Sequence, residues 1–437
     1  MKKEGLYSLD GKIKITEGLP FAMQQVLAMF LANITPVVLI TAVAAYNGKP
    51  LSSIDIAAIL QNAMIVAGIG TLIQGCSIFG IGAGLPIIMG LSFSFLATSM
   101  VIAADDYGYL MGAVLVGGIF EGIVGLFYKY WRRLITPLTS GCVVIAIGFS
   151  IIGSACSSFA SSDKYASGSY ENIVIAMITM LVAIALFLRG KGIIKQLYLL
   201  IALGVGYIIA IPFGMVDFNG IGTTVSQLGA VSFPHILQYA PKFELKYIVA
   251  FIIIYMTSAA ETVGDISALT TGTIDRFPSE KEVKGGLACD GFISAAAGGL
   301  FGCTPITSFS GQIGTVIMTK IVNRKCAIIE GVILIIAGFI PAIGAIFTSV
   351  PSCVLGGVSV ITFGAILTSG FSMIAKEGLD ERNSLIVAVS LTLGIGSTLC
   401  SEFYTLMPET VQSIFANNPI AGVFVWAVLL SVVFERR

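Results

Sequence analysis

Four carboxylates stand where carboxylates are expensive. Glu121, Glu261, Asp265 and Asp290 lie well within long apolar stretches, and Glu330 lies close to the end of another. An ionised carboxylate at the centre of a bilayer costs a few kcal/mol even on lenient scales. Each must therefore be protonated, hydrogen-bonded, hydrated in a cavity or paired across helices, and no basic residue stands three or four positions from any of them. Glu261 and Asp265, in AAETVGDISA, are one turn apart and share a helix face, with Ser258, Thr262, Gly264 and Ala268 on or beside it. Two carboxylates so close repel, an arrangement suited to taking up and releasing a proton. The pattern reads as a substrate anchor with a proton-sensitive neighbour, against the plainer reading of a polar contact inside a helix bundle. Asp290, in ACDGFISAAAGG, precedes small residues suited to close helix packing. Bracing of a neighbouring span and a share in proton coupling are both open to it. Glu121 sits in a glycine-rich span and reads as a packing contact. The sole histidine, His235, falls in the Pro-containing stretch SFPHILQYAP and is expected in solvent, so neither a histidine metal cluster nor a Ser-His triad can be built.

The elements that hold these acids are set by composition. Of 437 residues, 56% are hydrophobic and only 11% are charged, and the mean hydropathy is +0.95. A water-soluble chain carries about 25% charged residues, so this chain must use lipid as its solvent. Zero net charge gives no reason to expect nucleic acid as a partner. The polar start MKKEGLYSLDGKIKITEG has no apolar core followed by a small-residue cleavage site, and no cleaved signal peptide is expected. The eight cysteines are scattered without a C-x-x-C pair and read as packing residues, with a Cys156–Cys400 disulfide an open alternative. No HExxH, GxSxG or P-loop pattern occurs at a suitable place, so no enzyme is expected.

Apolar stretches can be read at about 19–42, 55–75, 78–101, 108–127, 134–155, 172–188, 193–211, 247–269, 285–299, 303–319, 327–347, 352–374, 383–400 and 419–434, fourteen in all. Cytoplasmic loops collect Lys and Arg. With the N-terminus inside, 20 of the basic residues fall on cytoplasmic segments and 4, Lys49, Lys164, Lys242 and Lys246, on outward ones. One missed or invented helix in the middle would scramble that split. Both termini are expected in the cytoplasm and the chain in the cell membrane.

The longest outward stretch, 212–246, divides the chain into seven plus seven spans. An odd number per half gives the halves opposite orientation, and inverted repeats mark transporters. The third span of each half is interrupted: FGIGAGLPIIMGLSFSFL in span three and FGCTPITSFSGQIGTVIMTK in span ten. These read as broken helices rather than simple kinks. Irregular backbone at membrane depth survives only where protein buries it or where it lines a cavity, and a half-helix N-terminus there offers N–H groups to a ligand.

These residues resemble the nucleobase/ascorbate transporter family, of the nucleobase cation symporter 2 type, over nearly the whole chain. The matching stretches are MQQVLAMFLANITPVVL, GAGLPIIMGLSFSFL, AAETVGDISA, KGGLACDGFISAAAGGLFGCTPITSFSGQIGTVIMTK and AGFIPAIGAIFTSVPSCVLGGVSVITFG. The resemblance implies an all-α polytopic membrane protein of fourteen transmembrane segments in a 7+7 inverted repeat. It implies an N-terminal tail over 1–18 and a core of spans 1–4 (19–127) and 8–11 (247–347). The gate would be spans 5–7 (128–211) and 12–14 (348–437), with 212–246 an extracellular connection. A homodimer through the gate is implied, with substrate between the half-helices of spans three and ten. Carried over by residue, Glu261 is similar to the carboxylate that binds the base's ring N–H groups, Asp265 to the residue that couples or braces one turn on, and Phe93 to the aromatic that packs on the ring. Phe309, Ser310, Gly311, Gln312 and Gln25 complete the implied substrate site, and Asp290 joins Asp265 in coupling or bracing.

Two departures stand out. Where the family's span-ten signature places a polar residue or Pro, then Asn, this chain has Gly311 and Gln312; in span one the common Gln-His pair is Gln24 and Gln25. A local shift that lets Gln312 reach substrate and a roomier site for another ligand are both open. ETVGD resembles purine-handling members. The reading is proton-coupled symport of an oxopurine of the xanthine or urate type, needing no cofactor beyond the coupling ion. Uracil or another heterocycle, sodium coupling, and an anion exchanger on the same fold are the alternatives, the last disfavoured by Glu261.

Overall fold

The computed structural model describes residues 5–131, 136–191, 194, 198–216, 222, 226, 229, 231–340, 342, 349–400, 402–408, 411–412, 415–416 and 419–434. Lys2, Lys3, Arg132, Arg133, Lys195, Arg436 and Arg437, counted above among the cytoplasmic basic residues, lie outside these residues, as does part of the connection 212–246. Besides the short helix Tyr128–Trp131, fourteen helices organise the described residues, and each of the fourteen overlaps one of the apolar stretches. They are α1 (Ile15–Val43), α2 (Ser53–Cys76), α3 (Leu96–Asp105), α4 (Tyr107–Leu126), α5 (Pro137–Phe159), α6 (Tyr170–Arg189) and α7 (Tyr198–Ala210). The second set is α8 (Leu245–Thr273), α9 (Glu280–Phe301), α10 (Ser310–Thr319), α11 (Arg324–Gly338), α12 (Ser352–Glu377), α13 (Glu381–Leu399) and α14 (Pro419–Val433). Among the described residues, α2, α4, α5, α6, α8, α12 and α13 are long and apolar enough to cross a membrane.

Polar residues just outside the apolar runs start the helices. The side chains of Ser52, Ser169, Ser279, Asn323 and Asp380 accept a backbone N–H in the first turns of α2, α6, α9, α11 and α13, as N-caps do.

The helices pair closely as α5 with α12, α4 with α9, α2 with α11, α6 with α7 and α13 with α14. Adding seven to each label maps α4–α9 onto α11–α2 and α6–α7 onto α13–α14, and returns α5–α12 to itself. Glycine permits the closest approaches. A Cβ on Gly291 would lie 2.1 Å from the backbone nitrogen of Gly122, and one on Gly68 would lie 2.6 Å from the carbonyl of Gly331. Small residues are how helices meet where lipid supplies no hydrophobic drive.

Spans three and ten are not pairs of half-helices. The second half of each is helical, as α3 and α10, whereas the first half is extended. Strand β3 (Met89–Leu91) runs antiparallel to β4 (Ile306–Ser308), with Gly90 opposite Thr307, while the outer hairpin pairs β1 (Ala45–Tyr46) with β2 (Lys49–Pro50). Gly82 and Gly84, at φ +101° and +65°, take the chain out of helix before β3, and their N–H groups reach Gly285 and Gln74 carbonyls at 2.7 and 2.8 Å. Side chains satisfy the donors that pairing leaves over. Met89 N–H donates to Thr71 Oγ1 at 3.0 Å, Leu91 N–H to Asn33 Oδ1 at 2.9 Å, and Ile306 N–H to Ser294 Oγ at 3.1 Å.

Outside the spanning segments, Asp106 caps α4. It accepts from Gly108 N–H at 2.7 Å and from Lys242 Nζ at 2.7 Å. Burial pushes its carboxyl up, but the Lys242 contact and the Gly108 and Asn47 N–H groups outweigh this and hold it below its usual range. A carboxyl so depressed stabilises the fold above its unfolded pKa and loses that contribution as pH falls through the folded one. Thermal melts should thus show wild type above Asp106→Asn at neutral pH, with the gap closing below about pH 4. A constant gap would rule the contribution out.

The eight cysteines are all free; Cys76, Cys156 and Cys400 are exposed rather than packed, and the other five are buried. His235 is exposed, as expected.

Candidate functional site

Helix α8 delivers Glu261 and Asp265 to the point where β3 turns into α3 and β4 turns into α10. Ser94, in the 3-10 turn Phe93–Phe95 that opens α3, donates to Glu261 Oε2 at 2.6 Å. Ser310, the first residue of α10, stands 2.9 Å from Glu261 Oε1 and 2.9 Å from Asp265 Oδ2. The Glu261 carboxylate therefore bridges the N-termini of two helices, whose unpaired N–H groups favour negative charge. A carboxylate has about four acceptor positions, and the two serines use two. The others are free for a ligand's N–H groups. Glu261 is only half-buried, and Gly311, next to Ser310, is exposed.

Behind Glu261 runs a chain of hydrogen bonds. Ser308 Oγ lies 3.3 Å from Asp265 Oδ2 and 3.2 Å from Thr262 Oγ1. Thr262 donates to Asp290 Oδ2 at 2.6 Å, Ser308 N–H donates to the same oxygen at 2.9 Å, and Gln74 Nε2 donates to Asp290 Oδ1 at 2.7 Å. Asp290, fully buried, thus ties α8, α2 and β4 to α9. Among the described residues, no basic side chain pairs with Glu121, Glu261, Asp265, Asp290 or Glu330. Nor do any three His, Cys, Asp or Glu among them form a cluster able to hold a metal ion.

Proton counting limits the charge states. Ser310 has one hydroxyl proton and two carboxyl neighbours at equal distance, so it can donate fully to only one. If Glu261 or Asp265 carries a proton, that O–H donates to Ser310 Oγ and both contacts become hydrogen bonds.

The other expected site residues divide. Phe93 packs edge-on against Phe363 of α12, ring centroids 5.4 Å apart. The Phe309 ring lies over Gly311: a Cβ there would stand 2.8 Å from the ring. The aromatic thus fills the space a side chain at that position would need. Gln312 does not reach toward Glu261. Its amide braces the extended part of span three, donating to the Pro86 carbonyl at 3.2 Å and accepting from Ile88 N–H at 3.3 Å. Gln25 and Gln312 line a small separate cavity together with Pro86 and Glu330. Sequence reading overlooked Ser94, Ser308, Gln74, Asn33 and Thr71. A polar side chain inside an apolar span was the available signal for each.

With this geometry in hand, the comparisons with known proteins are specific. The model of the Permease family (Xan_ur_permease) matches residues 17–403. A protein of Clostridium perfringens (strain 13 / Type A) that carries a purine-permease name is 33% identical over 98% of this chain and 93% of its own length. The xanthine permease XanQ of Escherichia coli (strain K12) is 30% identical over 98% of this chain and 93% of its own. Among solved structures, the transmembrane domain of the cyanobacterial bicarbonate transporter BicA aligns with a TM-score of 0.59 at 15% identity, covering 95% of this chain and all of that one. The inward-facing murine anion transporter Slc26a9 aligns with a TM-score of 0.62 at 10% identity, over 98% of this chain and 70% of its own. At such identities the likeness is one of fold.

Proposed function

Because this chain belongs to the Permease family, whose members named above are permeases rather than enzymes, we propose that it is a secondary active transporter importing a nucleobase, an oxopurine of the xanthine or urate type, by proton-coupled symport. The observation that carries the reading is Glu261, held by Ser94 and Ser310 between two helix N-termini with acceptor positions to spare. A purine dione offers ring N–H donors to such a carboxylate, carbonyl oxygens to the helix N-termini, and a flat face to Phe93 or Phe309. With Phe309 over Gly311, the span-ten contact on this reading is aromatic. The single hydroxyl between Glu261 and Asp265 supports a proton as coupling ion.

The same proposal takes all fourteen helical segments as spans, with both termini cytoplasmic in the cell membrane. Spans 1–4 and 8–11 form the core and spans 5–7 and 12–14 the gate, because the closest helix pairs fall within those groups. A homodimer through the gate completes it.

The test is uptake of labelled xanthine, urate, hypoxanthine, guanine and uracil into proteoliposomes, with and without an imposed pH gradient and with sodium exchanged for potassium. Accumulation of an oxopurine that follows the pH gradient in either salt is the expected result. Accumulation that needs sodium would replace the coupling ion, and absence of uptake and binding for every base would refute the substrate class.

A further inference from the structure

Glu121 is a buried acid that the site does not use. It is 1% exposed, and neither of its carboxyl oxygens has a hydrogen-bond partner among the described residues. The Ser258 hydroxyl, on α8, faces it and is itself buried and unsatisfied. Glycine packing seals the surroundings. Gly118, one turn before Glu121, would bring a Cβ within 2.5 Å of the Ala295 backbone, and Gly122 would bring one within 2.6 Å of the Phe292 ring.

The groups that face Glu121 make a negative charge there worse. Asp290 approaches from α9 and Glu261 from α8, together with the Tyr255 hydroxyl, whose proton is committed to the Val114 carbonyl at 3.2 Å. Among the described residues no basic group answers them. A dry, unpaired carboxylate beside two further carboxyls does not persist; the group stays neutral instead.

We propose that Glu121 is a third acid of the transport machinery, holding a proton in the closed packing shown here and releasing it when α8 moves. The placement favours a working proton over a permanently buried one. Ser258, which faces Glu121, lies one turn from Thr262, the donor to Asp290, and three residues from Glu261, so Glu121 adjoins both ends of the hydrogen-bonded chain. Helix α8 also packs on α5, with Ser140 Oγ donating to the Ala260 carbonyl at 3.4 Å. A shift of α8 away from α4 would admit water to the Ser258 face, and only a hydrated Glu121 can ionise. Binding a proton makes the group a neutral acid and releasing it restores one negative charge, so one cycle moves one proton with no other reactant.

The proposal rests on the transporter reading above, and the experiment separates the two. Infrared spectra of the purified protein in lipid report protonated carboxylic acids by their carbonyl band, with no transport required. Wild type at neutral pH should show one such component that Glu121→Gln lacks. Identical spectra would mean that Glu121 is ionised, and the proposal fails. In proteoliposomes, Glu121→Gln should retain exchange of labelled xanthine but lose accumulation driven by a pH gradient, and Glu121→Asp should recover part of it. Wild-type accumulation in Glu121→Gln makes the acid a static packing group and overturns the proposal, as does an Asp variant no better than Gln. If Glu121→Gln does not fold, Ser258→Ala should displace the infrared component while leaving the melting temperature in place; an undisplaced component would mean that the protonated acid is not beside Ser258 and overturns the proposal. Wild-type protein that moves no base defeats the transporter reading, and the infrared result still decides the state of Glu121.

Discussion

Glu261→Gln is expected to abolish xanthine binding while leaving the protein folded. On the proposed reading the carboxylate supplies charge-assisted acceptors to the base's ring N–H groups, and such bonds contribute about 1.5–3 kcal/mol each. An amide retains one acceptor oxygen and presents an N–H where a second was needed, so a loss of about 3 kcal/mol or more, at least about 100-fold in Kd, is expected. The folded state is spared because a Gln amide can accept from Ser94 or Ser310 through its oxygen and donate to the other serine's Oγ. Equilibrium binding of labelled xanthine and a thermal melt of the same preparation check both halves. Unchanged affinity would remove Glu261 from the site, and a melting temperature that falls with the affinity would make its role structural.

The second large effect lies in the α4–α9 seam. Gly291→Ala places a Cβ 2.1 Å from the Gly122 backbone nitrogen and 2.7 Å from the Gly118 carbonyl. Backbone on both sides leaves no flexible side chain to yield, so the helices must separate along their whole contact. Overpacking of this kind costs about 3 kcal/mol, a large share of the stability of an ordinary domain. The expected result is protein that elutes as aggregate or melts well below wild type. Gly364→Ala in α12 is the control: nothing stands within 4 Å of its Cβ, and its melting temperature should hold. Equal behaviour of the two variants would show that the seam is looser than its geometry.

Much of this architecture was readable because lipid imposes simple rules. Each apolar stretch holds a helix among the described residues, since backbone in hydrocarbon must satisfy itself locally. The interrupted spans were locatable from Gly82, Gly84, Pro86 and Pro305, but their extended first halves were not. Met89 pairs with Ser308, more than two hundred positions away, and no local pattern announces so distant a partner. For the same reason Gln74 was invisible as the residue that holds Asp290. Gln312 looked like a substrate contact because its amide suits one; whether an amide faces a ligand or the Pro86 carbonyl is decided by the tertiary arrangement. Glu261 and Asp265 were the opposite case, since their four-residue spacing on an α-helix is enough to put both on one face. Glu121 was read as a packing contact from its glycines, and those glycines are what deny it a partner.

The strand pair β3–β4 has a mechanical consequence. It fastens the start of α3 to the start of α10 by backbone hydrogen bonds, and Glu261 adds a clasp from α8 through Ser94 and Ser310. A rivet of this kind transmits load between the two halves of the chain, so neither half-helix can swing away from the other without tearing the sheet. On the transporter reading, any motion that exposes the site would have to carry both helix ends together as a single cargo bed.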